Sequence, residues 1–240
     1  MKLALITGGS TGLGQALTEA YLAADFEVLE FSRSGEGAHH VSCDLGDPQA
    51  ASQVLQQRLR DAAARDDYES VVFLSNAGVI EPIGPVAASQ PEQWQHSLQV
   101  NLVGAITAMG LFLQAFQDHK GHKVLANVSS GAAQAIIPGW SLYCAAKAGL
   151  EHFIGHVAVE QEDQRHPITA INIDPGLIDT PMQARIRDAD PDQFPGLQRF
   201  LDYKTQGALK SPSEVAARIK AIIDRRPVSG TRYITDSLAD

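Results

Sequence analysis

Two residue types in the stretch "WSLYCAAKAGLEHFIGHV" could do acid–base chemistry together: Tyr143, and Lys147 four positions later. On a helix, residues four apart share one face, with β-carbons about 5–6 Å apart. An ammonium can therefore stand beside the phenol. A free phenol titrates near pH ~10, too high to exchange protons freely at neutrality. A cation at about 4 Å is worth roughly 4 kcal/mol at an effective dielectric of 20, so the pairing predicts a phenol tuned downward by Lys147. Spacing alone leaves a second reading open. Leu150, Phe153, Ile154 and Val157 mark the buried stripe, and a Tyr and a Lys at its edge can simply cover apolar surface with ring and methylene stem.

A second chemistry-bearing stretch lies near the N-terminus. Gly8, Gly12 and Gly14 follow the apolar run "LALIT" and open the helical pattern "QALTEAYLAA". Such a turn lets the backbone approach a pyrophosphate, whose charge is met by free N–H groups at the helix N-terminus. The loop Gly8, Ser10, Thr11, Gly12, Leu13 and Gly14 is the expected phosphate cradle. Where the second strand ends, "VLEFSRS" places Arg33 and Ser34 at the position facing an adenosine ribose. An acid there would hold a 2′-hydroxyl, whereas an arginine accommodates a 2′-phosphate. NADP(H) is the expected cofactor, with Glu30 assigned to the strand body.

These stretches must be positioned by a fold. Strand-like runs ("LALI", "FEVLEF", "HHVSC", "SVVFLS", "KVLANVS", "ITAINI") alternate with helical patterns at Leu13–Ala24, Gln49–Ala64, Gln90–Phe116 and Ser141–Glu160. The alternation predicts an α/β, doubly wound Rossmann-type domain over 1–240, with a parallel sheet of about seven strands and helices on both faces. A final helix, Ser213–Ile223, and the strand "TRYIT" close it. The least regular segment, about 181–211, is expected to form a flap over the site.

Composition narrows the partners. The 240 residues are 44% hydrophobic and 20% charged, as in an ordinary soluble globular protein, and the net charge of −9 argues against nucleic acid. No uninterrupted apolar run reaches the ~18 residues of a membrane span, and "MKLALITGG" breaks too early for a secretory leader. The expected location is the cytoplasm. Cys43 and Cys144 have neither disulfide nor metal spacing. Adjacent His39 and His40 point to opposite faces of a strand, so no metal site is expected. His119 and His122 read as solvated loop residues.

"TGGSTGLG", "CDLGD", "SNAG", "VNLVGA", "NVSSG", "YCAAK" and "DPGLIDT" fall in the order and spacing of the short-chain dehydrogenase/reductase family, which the chain resembles from Leu3 to about Pro181. The resemblance implies a catalytic tetrad of Asn101, Ser130, Tyr143 and Lys147, in which Tyr143 is the proton donor and Asn101 helps hold a water behind Lys147. It implies dinucleotide contacts from Asp44 and Leu45 at the adenine, Asn76, Ala77 and Gly78 beside the ribose, and Pro175, Gly176, Ile178 and Thr180 near the nicotinamide. Tyr143 and Lys147 also face the nicotinamide ribose. Ser129 is the rival of Ser130, but strand alternation lets only one face the site. Asp174, where the family often has asparagine, is expected to matter little.

A softer likeness, in "PGLIDTPMQARIRD", "NAGVIEPIG" and "GWSLYCAAKAGLE", is to the sepiapterin reductase group and its bacterial benzil reductase branch. It implies NADPH-dependent reduction of one carbonyl of a vicinal diketone or sepiapterin-like compound, with Glu81, Trp140, Met182 and Phe194 as candidate substrate contacts. Alternatives are an NAD-linked alcohol dehydrogenase of the same fold and a non-catalytic NADPH-binding regulator. Family members commonly pair through the two long helices, so a homodimer or homotetramer is expected, with Ala145, Ala146, Ala148 and Gly149 allowing close packing.

Overall fold

A computed structural model describes residues 1–65 and 67–237. Seven parallel strands form one sheet in the order β3-β2-β1-β4-β5-β6-β7: β1 (Lys2–Thr7), β2 (Glu27–Ser32), β3 (His40–Ser42), β4 (Ser70–Ser75), β5 (His122–Val128), β6 (Thr169–Asp174) and β7 (Arg232–Ile234). The period-2 alternation of strands divides their apolar side chains between two cores. Leu3, Leu5, Val71, Phe73 and Leu125 face one side and pack on α2 (Pro48–Ala63), α4 (Ala105–Phe116) and α5 (Ser141–Glu160). Ala4, Ile6, Val72, Leu74 and Val124 face the other and pack on α1 (Gly12–Leu22) and α8 (Pro212–Asp224).

Three departures from the sequence expectation bear on the site. The helical run Gln90–Phe116 is α3 (Pro91–Leu98), a π-helical turn at Gln99–Gly104, and α4. By length and composition the span Pro91–Phe116 is apolar enough to cross a membrane, although no uninterrupted run of that length exists. Its apolar face is occupied: Ala105, Ala108, Met109, Phe112 and Phe116 are buried against the sheet and α2. His119 is also buried rather than solvated, beside Phe116 and Tyr68, and its Nδ1 accepts the Gly121 N–H.

The third departure is the segment expected to be irregular. It contains two helices, α6 (Pro181–Arg187) and α7 (Leu197–Thr205). Both ends are tied at one point. Ile178 and Lys210 form an isolated parallel bridge, with the Asp179 N–H donating to the Lys210 carbonyl (2.9 Å) and the Lys210 N–H to that of Leu177 (3.0 Å). Between these ends Phe194 and Phe200 pack onto Trp140 and Tyr143, forming a third apolar cluster with Ile80, Ala132 and Ile186.

Candidate active site

The sheet diverges at β1 and β4, the place where ligands bind outside the carboxyl ends of the strands. Gly8 has φ +68°, and a Cβ there would lie 2.7 Å from Cα of Ala77. Gly14 opens α1 directly beneath it, and a Cβ on Gly14 would lie 2.0 Å from the Gly8 carbonyl oxygen. The two turns thus touch through backbone alone. Asn76 ties them together, donating from Nδ2 to the carbonyls of Thr7 (3.2 Å) and Gly8 (3.0 Å), while its N–H and that of Ala77 donate to Oγ1 of Thr7. Because the clash is with backbone, Gly14→Ala is expected to destabilise the fold by about 1–3 kcal/mol. Chemical denaturation of the two proteins checks it.

The other expected dinucleotide contacts fall into two sets. Ser10 and Thr11 are accessible at the N-terminus of α1, where Thr11 makes no side-chain capping bond. Arg33 and Ser34 are exposed just past β2, and Asp44 is exposed with Oδ1 accepting from Gly46 N–H at 2.8 Å. Thr180 caps α6 through the Gln183 N–H, and its methyl would lie 3.3 Å from a Cβ on Gly12, so the β6–α6 loop rests on the glycine loop. Pro175 and Gly176 make the turn between, with Gly176 at φ +71°. Leu13, Leu45 and Ile178 are buried in the two cores. The open N-terminus of α1, the backbone-only turn beside it and the exposed arginine fit a dinucleotide phosphate cradle.

Tyr143 and Lys147 project from α5 toward the end of β5, and both are buried. Lys147 donates from Nζ to the Val128 carbonyl at 2.8 Å, and Nζ lies 5.8 Å from the centre of the Tyr143 ring. Ser130 follows the same strand. Its hydroxyl accepts the Ala132 N–H at 3.1 Å and faces the Tyr143 phenol, whose pKa it acts to lower. Ser129 points the other way, donating to Oε1 of Glu151 at 2.6 Å. Strand alternation thus places Ser130, and not its neighbour, beside the phenol.

The electrostatics reverse the expectation for Tyr143. Burial pushes the phenol up to about 12; the bond from Ser130 opposes this, and Cys144 and Asp174 add to it. Burial likewise brings Lys147 down to about 8, opposed by Glu151. Desolvation disfavours the charged form of each group and is the largest cause of both shifts. Tyr143 belongs to the third apolar cluster. Trp140 meets Tyr143 edge-on (5.8 Å between rings), and Phe194 stacks on Trp140 at 5.5 Å and 11°.

Asn101 sits in the π-helical turn, 1% exposed. Its side chain is spent on Val79, accepting that residue's N–H and donating to its carbonyl, both at 2.8 Å. The amide therefore fixes the chain leaving β4; a water behind Lys147 would have to be met by the backbone of the turn, where π geometry disturbs the regular helical ladder.

Two acids missed in the sequence support the site. Glu151, one turn beyond Lys147, accepts from Ser129, Gln134 (2.6 Å) and Arg232 Nε (2.8 Å). Asp174, expected to matter little, pairs with Arg232 Nη2 at 2.8 Å and accepts the Gly176 N–H at 3.0 Å, so it shapes the turn. Lys–Glu spacing of four was a visible signal for the first; no local pattern announced the second. Among the expected substrate contacts, Trp140 and Phe194 come together over Tyr143, and Met182 packs against their cluster. Glu81 lies at the mouth, half-exposed and paired with Arg185 at 2.6 Å, beside an open pocket of about 370 Å³.

Comparison with known proteins agrees with this geometry. The family model described as short chain dehydrogenase matches residues 2–191. The chain is 33% identical over 238 residues to a benzil reductase ((S)-benzoin forming) of Bacillus subtilis, covering 97% of this chain and 98% of that one. It is 29% identical to a Saccharomyces cerevisiae protein of the same description, covering 99% and 97%. The crystal structure of the KRED1-Pglu enzyme superposes with a TM-score of 0.81 at 27% identity, covering 97% of this chain and 100% of that one. Sheet order, glycine turn and matched sequence together make the chain a member of the short-chain dehydrogenase/reductase family, oxidoreductases that work with a nicotinamide cofactor.

Proposed function

We propose that this protein is an NADPH-dependent reductase of vicinal diketones and related aromatic carbonyls, with Tyr143 as proton donor. The observation that carries the reading is the environment of Tyr143: a buried phenol, kept in its acid form by desolvation, beside Ser130 and Lys147 and packed against Trp140. A group held in its acid form suits delivery of a proton to a carbonyl oxygen and opposes the reverse reaction, which would begin from phenolate. Ser130 orients the substrate oxygen, and Lys147 stands behind the phenol as the next proton source. The bound dinucleotide supplies the hydride. Similarity to benzil reductases supports the diketone as substrate.

The preference for NADPH rests on Arg33, exposed past β2, and on Glu30, which is turned inward and used elsewhere. Two free thiols suit the reducing cytoplasm. Pairing of chains would use the outer faces of the long helices, where Val103, Ala145, Ala148 and Val159 are exposed; Ala146 is turned inward.

The test is turnover of benzil, an isatin and sepiapterin with NADPH. Benzil reduction is expected, and silence on all three with activity on simple sugars or steroids overturns the substrate assignment.

A further inference from the structure

β2 carries a carboxylate at a position buried like a core residue. Glu30 is 2% exposed, and both oxygens are engaged. Oε1 accepts the N–H of Gly9, in the glycine loop, at 2.8 Å, and Oε2 lies 2.7 Å from Nδ1 of His40. His40 is the residue paired with Glu30 across the β2–β3 ladder. Its Nε2 faces the N–H of Gly35 at 3.3 Å. A backbone N–H can only donate, so Nε2 is the accepting nitrogen and Nδ1 carries the proton given to Glu30. One neutral tautomer satisfies all three contacts.

The glycines fit around this pair. A Cβ on Gly9 would lie 2.2 Å from Cγ of Glu30, and one on Gly35 would lie 2.3 Å from Nδ1 of His40 and 2.6 Å from Oε2 of Glu30. The chain from Gly9 through Glu30 and His40 to Gly35 therefore couples the phosphate-facing loop to the β2–β3 connection. That connection starts with Arg33 and Ser34, one residue before the anchored Gly35.

We propose that Glu30 and His40 are positioning residues for cofactor choice: by fixing Gly35 against the glycine loop, they hold Arg33 and Ser34 where a 2′-phosphate on the adenosine ribose is met. This rests on the NADPH reading above. The pair touches neither Tyr143 nor the substrate lid, so its effect falls on cofactor affinity rather than on the chemical step. It also acts on one cofactor more than the other, because NADH presents only a neutral 2′-hydroxyl to the held loop where NADPH presents a charged phosphate.

The measurement is the dissociation constant of NADPH and of NADH, with kcat at saturating cofactor, for the unaltered protein and for His40→Ala, His40→Gln and Glu30→Gln. His40→Ala should weaken NADPH about tenfold and NADH less than about twofold, with kcat within about twofold, the loss of roughly one hydrogen bond and its ordering. His40→Gln, which offers one donor and one acceptor, should recover part of the loss. Glu30→Gln keeps an acceptor for Gly9 but presents N–H to Nδ1, which forces the other tautomer and sets two donors against each other at Gly35. It should reproduce the loss, and the double variant should add nothing. If His40→Ala does not fold, the two near-isosteric variants carry the comparison. Equal weakening of both cofactors, or none, overturns the proposal. If the unaltered protein does not prefer NADPH, the cofactor reading falls and takes this inference with it; if it does and Arg33→Asp erases the preference while these variants do not, this inference alone fails.

Discussion

Tyr143→Phe is expected to cut kcat for carbonyl reduction by about 10³-fold or more while NADPH binds within about threefold of its normal affinity, since a positioned general acid is worth roughly 10²–10⁴. The ring stays in the aromatic cluster with Trp140, so that packing remains and only the hydroxyl facing Ser130 is lost. Single-turnover reduction followed by NADPH absorbance separates the chemical step from binding. Full activity in the variant would mean that the proton comes from elsewhere. The pH profile is a second readout. Tyr143, pushed up to about 12, keeps its proton across the working range, whereas Lys147, brought down to about 8, loses its own as pH rises through that value. Reduction consumes a proton, so the rate should hold through neutrality and decline above about pH 8. Lys147→Met should be slow with that decline absent.

Arg33→Asp should reverse cofactor preference. Charge-assisted hydrogen bonds are worth about 1.5–3 kcal/mol each, and the new carboxylate adds repulsion, so NADPH should weaken by roughly 10²–10³-fold. NADH should change by less than about fivefold, because an acid at this position meets a ribose 2′-hydroxyl. Fluorescence titration with both cofactors checks this, and equal losses would refute the assignment. The prediction depends on Glu30 being unavailable to the ribose. In the structure that acid is buried between Gly9 and His40, which leaves Arg33 as the exposed charge beyond β2.

The strand and helix pattern was legible because it is local. The apolar runs of β1, β4 and β5 and the stripe of α5 are written over six to twenty consecutive residues. What escaped was written over distance. The charge state of Tyr143 depends on a lid whose Phe194 arrives fifty-one residues later, so spacing to Lys147 suggested a lowered pKa where burial raises it. Asp174 looked incidental because its partner, Arg232, lies fifty-eight residues away on β7. The π-helical turn at Asn101 was hidden for a different reason: widening one turn leaves the apolar periodicity on either side almost unchanged. In the lid, Pro191, Pro195 and the acids around them broke the helical pattern where a connector runs between α6 and α7, which made the whole stretch read as irregular.

The bridge between Ile178 and Lys210 ends the lid where it begins. A segment whose entrance and exit are stitched together behaves as a cassette. Beyond Thr180, its length and content can be exchanged without pulling on the glycine turn or the sheet, much as a surface loop with neighbouring ends tolerates insertion at small entropic expense. Divergence toward new carbonyl compounds would then be a matter of exchanging the stretch beyond Thr180 while the glycine turn and the sheet beneath stay as they are.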